Sequence, residues 1–256
     1  MIPRDYITEW RAQAPWEQDA QVEQDLVISR ALVELFSHRH LAEALAFRGG
    51  TALYKLHIQP AARYSEDIDL VQVRAEPIGE TIDALRSVLD PWLGTPQRHL
   101  GEGRVTLGYR FASEDAPPLR LRLKIEINSR EHFTLFGLVE KAFEVRSRWF
   151  TGGAAIPTYT LDELLGTKMR ALYQRRKGRD LFDIALGLRQ PGVDPARIVQ
   201  AFEAYLEHEG AKVTRALFER NMAAKMENAE FVADARALLS ADYRWDLAEA
   251  METVAR

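Results

Sequence analysis

The chain has 256 residues with 34 basic and 38 acidic side chains, a formal net charge of −4, and 46% apolar residues. This composition supports one large globular domain or two modest ones and excludes collagen-like and low-complexity classes; affinity for a polyanion would have to come from a local basic surface. The absence of cysteine removes disulfides, thiolate zinc sites and cysteine nucleophiles together, and it permits a reducing compartment. The opening MIPRDYITEW has neither the basic start nor the apolar run of a signal peptide. No stretch approaches the roughly 20 apolar residues of a membrane span, so the expectation is a soluble, cytoplasmic protein.

In chain order, Val22, Leu26, Val27, Leu32, Val33 and Phe36 recur at helical spacing and predict a core-facing helix from about Glu17 to His38. The segment LAFRGGTALYKLHI passes from an apolar run into Gly49-Gly50-Thr51, a tight turn feeding a short helix. Residues Ser65 to Val73 read as a strand, and Gly79 to Leu89 as a helix ended by Asp90-Pro91. Val105, Leu107, Tyr109 and Phe111 alternate with polar residues or glycine, as a half-buried strand requires. From Leu119 to Asn128 the alternation is stricter: Leu119, Leu121, Leu123, Ile125 and Ile127 face one way, and Arg120, Arg122, Lys124, Glu126 and Asn128 the other. A further strand is predicted from Phe143 to Phe150, with Gly152-Gly153 and Pro157 as punctuation. Thr160 followed by Glu163 is a capping-box pattern opening a helix to about Arg175. Gly178 marks a break before a second helix, Arg179 to Leu188, and Pro195 to Val254 reads as three or four more helices.

Four features carry chemistry. Asp67 and Asp69, two apart on a strand, place their carboxylates side by side, a pair suited to hard oxygen ligation of Mg²⁺. The Gly49-Gly50 turn supplies backbone N–H groups that can approach phosphate oxygens. Glu126, on the polar face of the strand from Leu119, either completes a metal site or activates an attacking hydroxyl, unless Lys124 neutralises it. The run KMRALYQRRKGRD carries six basic residues between Lys168 and Arg179, and helical spacing puts Lys168 and Arg175 on nearly the same side, fit for a triphosphate. Arg176, Lys177 and Arg179 extend that surface towards a longer polyanion.

Each feature has a plainer reading: a solvated strand edge, an ordinary turn, or a helix face on which Asp180 or Asp183 pairs with Arg176 or Arg179. Tyr64, Tyr173 and Phe182 are candidates to stack on a base, with core packing the better account of Phe182. His38 and His40 have no partner motif and read as surface residues.

The stretch FRGGTALYKLHIQPAARYSEDIDLV, the run LKIEI and the segment GTKMRALYQRRKGRDLFDI together resemble the AbiEii/AbiGii family of nucleotidyltransferase toxins, within the polymerase-β-like superfamily, over roughly residues 40 to 190. The resemblance implies an α+β chain: a minimal nucleotidyltransferase mixed sheet flanked by helices over residues 1–157, then an all-α domain over 158–256. It gives the phosphate-binding turn to Gly49, Gly50 and Thr51, the last a departure from the usual Gly-Ser, and a phosphate-holding role to Ser65. It gives Mg²⁺ to Asp67 and Asp69, nucleotide contact to Lys168, and the late aspartate to Asp180 in preference to Asp183. The implied activity is Mg²⁺-dependent transfer of a nucleoside monophosphate from a nucleoside triphosphate to an acceptor hydroxyl, of RNA and notably the tRNA 3′ end or else of a protein, by a toxin opposed by an antitoxin; the basic run favours RNA. Two rivals stand beside it. One is a non-catalytic nucleotidyltransferase-like subunit that binds a partner; the other is a plain nucleic-acid-binding protein.

Overall fold

The computed structural model describes residues 2–240, 243 and 245–255. The chain divides into two compact units, one of residues 1–133 and 138–159, the other of residues 134–137 and 160–256.

In chain order the first unit comprises α1 (Arg4–Trp10), α2 (Asp19–Ser37), α3 (Arg39–Ala44), β1 (Leu45–Arg48) and α4 (Gly49–Ala52), the last running into a π-helical turn, Leu53–His57. Then follow β2 (Asp67–Gln72), α5 (Gly79–Leu93), β3 (Gln97–Gly101), β4 (Arg104–Ala112), β5 (Arg120–Asn128), β6 (Leu138–Arg146) and β7 (Thr151–Tyr159). The strands form one seven-stranded mixed sheet in the order β3-β4-β5-β2-β1-β7-β6. β2 runs parallel to β5 and β1 parallel to β7, while the other neighbours are antiparallel.

The predicted alternation of β5 is realised. Leu123, Ile125 and Ile127 are buried while Arg120 and Arg122 are exposed. The apolar side of the sheet packs on α2, whose Leu26, Ile28, Leu32 and Leu35 are buried and whose neighbours in the sheet are β5, β6 and β7. Burying such a side chain is worth about 1.5–3 kcal/mol, so this helix anchors the unit.

Several elements differ from the sequence expectation. The helix α5 does not stop at Asp90-Pro91 but carries Pro91 inside it to Leu93. Its last turn is held by tertiary packing: Leu93 is buried, and Trp92 lies edge-on to Trp149 with the Arg30 guanidinium 4.2 Å over its ring. The strand expected at Phe143–Phe150 begins at Leu138 and ends at Arg146, because Ser147 and Phe150 close a turn through reciprocal backbone and hydroxyl hydrogen bonds. Gly152, Gly153 and Pro157 do not punctuate the chain but lie within β7. β1 registers with β7 only at Thr158, so most of β7 has a ladder on one side and tolerates residues that weaken a strand. The wholly exposed edge strand β3 and the four-residue β1 carry no periodicity long enough to read.

The second unit contains α6 (Leu161–Gln174), α7 (Gly178–Gly187), α8 (Pro195–His208), α9 (Arg215–Met226), α10 (Ala229–Asp234), a 3₁₀ turn at Arg236–Leu238 and α11 (Leu247–Ala255). Leu172, Leu181, Ile184, Phe202, Leu206, Phe218, Met222 and Phe231 form its own core. Gly178 opens α7 where a break was expected before Arg179; the break is the extended stretch at Arg175–Lys177. Among the described residues no helix is long and apolar enough to cross a membrane.

Candidate active site

The acidic strand β2 and its neighbour β5 build the first cluster. Their parallel register sets Asp67 beside Lys124 and Asp69 beside Glu126, so all four side chains share the sheet face opposite the core. Lys124 Nζ lies 2.7 Å from Asp67 Oδ2 and 3.7 Å from Glu126 Oε2, and Arg104 reaches Glu126 Oε1 at 3.5 Å. Burial works against the charge on Lys124, but its hydrogen bond and attraction to Asp67, then Glu126 and Asp69, outweigh that and raise its pKa. The lysine expected to neutralise Glu126 therefore neutralises Asp67 first: across parallel strands the register partner is nearer than the next residue but one on the same strand. At the Asp69 level of β1 stands Arg48, which pairs with Glu131 at 2.5 Å. Burial opposes the Arg48 charge, and Glu131, Tyr159 and Asp69 more than offset it, so its pKa is raised.

The glycine turn abuts this cluster. Gly49 has φ +82, and a Cβ there would overlap the Asp69 carboxylate. At Gly50 a Cβ would sit 2.6 Å from the Arg63 guanidinium and 3.1 Å from Ser65 Oγ. Glycine is thus demanded by the approach of Asp69, Arg63 and Ser65. The Thr51 hydroxyl lies 2.5 Å from the Asp67 carbonyl and 2.9 Å from Ser65 Oγ. Since a carbonyl only accepts, the Thr51 proton goes there and Ser65 supplies the other bond. This places Gly49, Gly50, Thr51, Ser65, Asp67 and Asp69 in one locality. Behind them, the buried Asp25 receives Trp10 Nε1 at 2.9 Å, Trp16 Nε1 at 3.2 Å and Lys55 Nζ at 2.7 Å, fixing the helical segment that carries the turn.

As to a metal, Asp67 and Asp69 are hard oxygen donors of the kind Mg²⁺ takes. The unit also places the positive charge of Lys124 against them. Among the described residues no group of three or more His, Asp or Glu side chains converges as a ready-made metal cage. The donor chemistry fits a magnesium ion held by this aspartate pair.

The second cluster lies within the helical unit. Lys168 Nζ stands 3.3 Å from Asp180 Oδ1 and 3.0 Å from Asp183 Oδ2, both aspartates being fully buried. Arg175 grips Asp180 with two bonds, Nε to Oδ2 at 2.7 Å and Nη2 to Oδ1 at 2.8 Å. Burial would raise the Asp180 pKa, but Lys168 and Arg175 hold it below the ordinary value. Lys168 and Arg175 do meet, though not as neighbours on a helix face: Arg175 is the extended residue that ends α6, and both reach Asp180 on α7.

Asp180 and Asp183 do not pair with Arg176 or Arg179 as the plainer reading had it. Arg179 and Lys177 instead approach Asp234, at 3.9 and 3.5 Å. Nor are the three aromatic residues base platforms. Tyr64 and Phe182 are buried, and Tyr173 stacks on Phe218 at 6.2 Å within the core. His38 and His40 are half-buried, the latter 3.2 Å from the Thr81 hydroxyl.

Two residues not among the expected site residues organise this unit. Glu163 is fully buried, and its carboxylate accepts from Leu135 N at 2.7 Å, Thr134 Oγ1 at 2.8 Å, Phe136 N at 3.0 Å and Tyr205 Oη at 2.8 Å. Only half of the expected capping box forms: Glu163 N donates to Thr160 Oγ1, while the side chain turns to the 134–136 strap. Lys225, from α9, donates to the carbonyls of Leu172 and Tyr173 at the end of α6. Burial lowers its pKa to about 8, Asp180 opposing and Arg176 adding to that shift.

The fold, a mixed sheet with an acidic strand beside a glycine turn and a separate helical unit, has counterparts among known structures. The chain is similar to MenT4, nucleotidyltransferase toxin Rv2826c from Mycobacterium tuberculosis H37Rv, with a TM-score of 0.63 at 17% identity over 100% of this chain and 88% of that one. It is also similar to JHP933 from Helicobacter pylori, with a TM-score of 0.54 at 17% identity over 93% of this chain and 90% of that one. No curated protein sequence matches it. The family model described as nucleotidyl transferase AbiEii toxin, type IV toxin–antitoxin system, matches residues 30–253. The chain belongs to the AbiEii family and is a nucleotidyltransferase; its family implies a cognate antitoxin.

Proposed function

We propose that the protein moves a nucleoside monophosphate from a nucleoside triphosphate to a hydroxyl of an RNA acceptor, with Mg²⁺ on Asp67 and Asp69, residues 1–157 forming the transfer core and 158–256 the helical domain. The observation that supports this reading best is that Asp67, Asp69 and Glu126 lie on one sheet face, with the Gly49–Gly50 turn against Asp69. Bound there, the metal would supply charge neutralisation at the phosphates. The remaining work belongs to the chain. Gly49 and Gly50, at the start of a helical segment whose first N–H groups lack intrahelical acceptors, face phosphate oxygens, and Ser65 adds a hydroxyl. Lys168, held between Asp180 and Asp183, and Arg175 are assigned to the triphosphate, with Asp180 fixing both cations. Glu126 takes the proton of the attacking hydroxyl, pyrophosphate leaves in line, and the rate comes from positioning and electrostatics.

The test is to incubate the purified protein with Mg²⁺, each labelled nucleoside triphosphate in turn, and total cellular RNA or protein. Label is expected in RNA, and Asp67→Ala or Asp69→Ala should abolish it without lowering the melting temperature by more than a few degrees. Label confined to the protein pool would overturn the RNA acceptor, and an active Asp69→Ala protein would overturn the assignment of the site. The Lys124–Asp67 bridge favours one other reading, an acidic face closed by its own lysine in a non-catalytic subunit; a folded parent that transfers no label under any of these conditions would establish it.

A further inference from the structure

The sheet face that carries Asp67 and Asp69 continues, away from the acids, into a row of cations. On β5 the outward positions run Arg120, Arg122, Lys124 and Glu126, and on β4 the same face presents Arg110 directly opposite Arg122 and Ala112 opposite Arg120. Arg110, Arg120 and Arg122 are exposed, and none has an ion-pair partner among the described residues. Most other surface arginines here are engaged, as Arg39 is with Glu43, Arg146 with Glu144 and Arg148 with Asp5 and Glu9. Like charges directly opposite across an antiparallel pair destabilise it, and among the described residues no anion pairs with Arg110 or Arg122 to relieve it.

The side chain of Arg122 is also aimed. A Cβ on Gly108 would lie 2.9 Å from Arg122 Nε and 3.2 Å from Nη2, so the guanidinium rests over the Gly108 backbone. The register partner of Gly108 is Lys124, whose ammonium bridges Asp67. Arg122 therefore leans along the strand towards the acidic end. Successive outward side chains on a strand are about 6.8 Å apart, a regular ladder that an extended sugar–phosphate backbone can follow step by step. A compact anion would engage one rung only.

We propose that Arg110, Arg120 and Arg122 form the track that binds the phosphate backbone of a single-stranded RNA segment and leads its end to Asp67 and Asp69. The inference rests on the transferase reading above for its purpose, but the binding itself needs neither nucleotide nor metal. An acidic protein could also meet three arginines. The two-residue spacing of Arg120 and Arg122 along β5, with Arg110 beside them on β4, and the continuity of this face with the acidic residues favour the RNA.

The experiment measures binding of a labelled 12-nucleotide single-stranded RNA by anisotropy across a salt series, without triphosphate, for the full chain, for the R110Q/R120Q/R122Q variant, and for R39Q/R74Q/R146Q as a charge-matched control. Each phosphate contact on a single strand contributes about 0.7 to the slope of log K against log salt. The track variant is therefore expected to lose about 2 from that slope and about 100-fold in affinity at 0.1 M salt. The control should keep the parent slope, and R110Q alone should lose about 0.7. An unchanged slope in the folded track variant, an equal loss in the control, or arginine-dependent binding of polyglutamate in preference to RNA would overturn the proposal. Arginine-dependent RNA binding by a protein that transfers no label would sink the transferase reading alone. Transfer to RNA with arginine-independent binding would sink the track alone.

Discussion

Single residues here are constrained by what they touch across the chain. His57 closes the π-helical turn behind the glycine segment, and its Nε2 is buried without a hydrogen-bond partner among the described residues. Burial, with Lys141 adding, lowers its pKa to about 4, against about 6.5 in an unfolded chain. The unfolded form thus binds the extra proton first, and the folded form loses stability as pH falls from about 6.5 towards about 4. His57→Leu should lose less stability than the parent over that window, read as the shift of the urea midpoint between pH 7 and 4.5; parallel shifts in the two proteins would contradict it.

At the level of elements, Glu163 joins two pieces of chain that are far apart in sequence. Its four acceptor bonds hold the Thr134–Phe136 strap and Tyr205 of α8 to α6, the helix that also carries Lys168. A carboxylate can accept at both oxygens, whereas an amide turns one of them into a donor. Glu163→Gln would leave two buried donors facing an NH₂ group, and the expected loss is about 2–5 kcal/mol in the unfolding free energy of the helical unit. A denaturant midpoint equal to the parent's would show that the strap is not held by this carboxylate. Lys225 serves the same helix from the other end, placing a cation on the carbonyls of Leu172 and Tyr173 one turn before Arg175 leaves to grip Asp180.

For the whole molecule, the net charge is −4, and a uniformly smeared charge of that sign repels a polyanion. Added salt screens such repulsion, so RNA binding governed by the overall field would strengthen with ionic strength. Binding governed by Arg110, Arg120 and Arg122 must weaken instead, because it releases condensed cations from the RNA. The expected sign is a fall in affinity between 50 and 200 mM salt; a rise would mean that no local basic surface governs the interaction.

What could be read from the residue order and what could not follow from the range of the forces involved. Periodicity and turn chemistry are local, so α2, β4, β5 and the two-apart aspartates of β2 were legible, as was the family, whose motifs are short and ordered. The glycine turn was legible too, although its reason was not: Gly49 and Gly50 are small because Asp69, Arg63 and Ser65 crowd them. β1, β3 and β7 exist because neighbours pair with them, and α5 continues past Pro91 because Trp92 and Leu93 are anchored elsewhere. The partners of the charged residues were likewise set by the folded chain. Lys124 bridges Asp67 through strand register, Arg175 meets Lys168 at Asp180 only after leaving its helix, and the basic run past Lys168 is partly met by Asp234. Alternation along β5 put three arginine and lysine side chains on one face in the sequence itself. Only the β4–β5 register set Arg110 against Arg122, and only the β2–β5 register put that face in line with the acids, both being matches between residues a dozen or more apart in sequence.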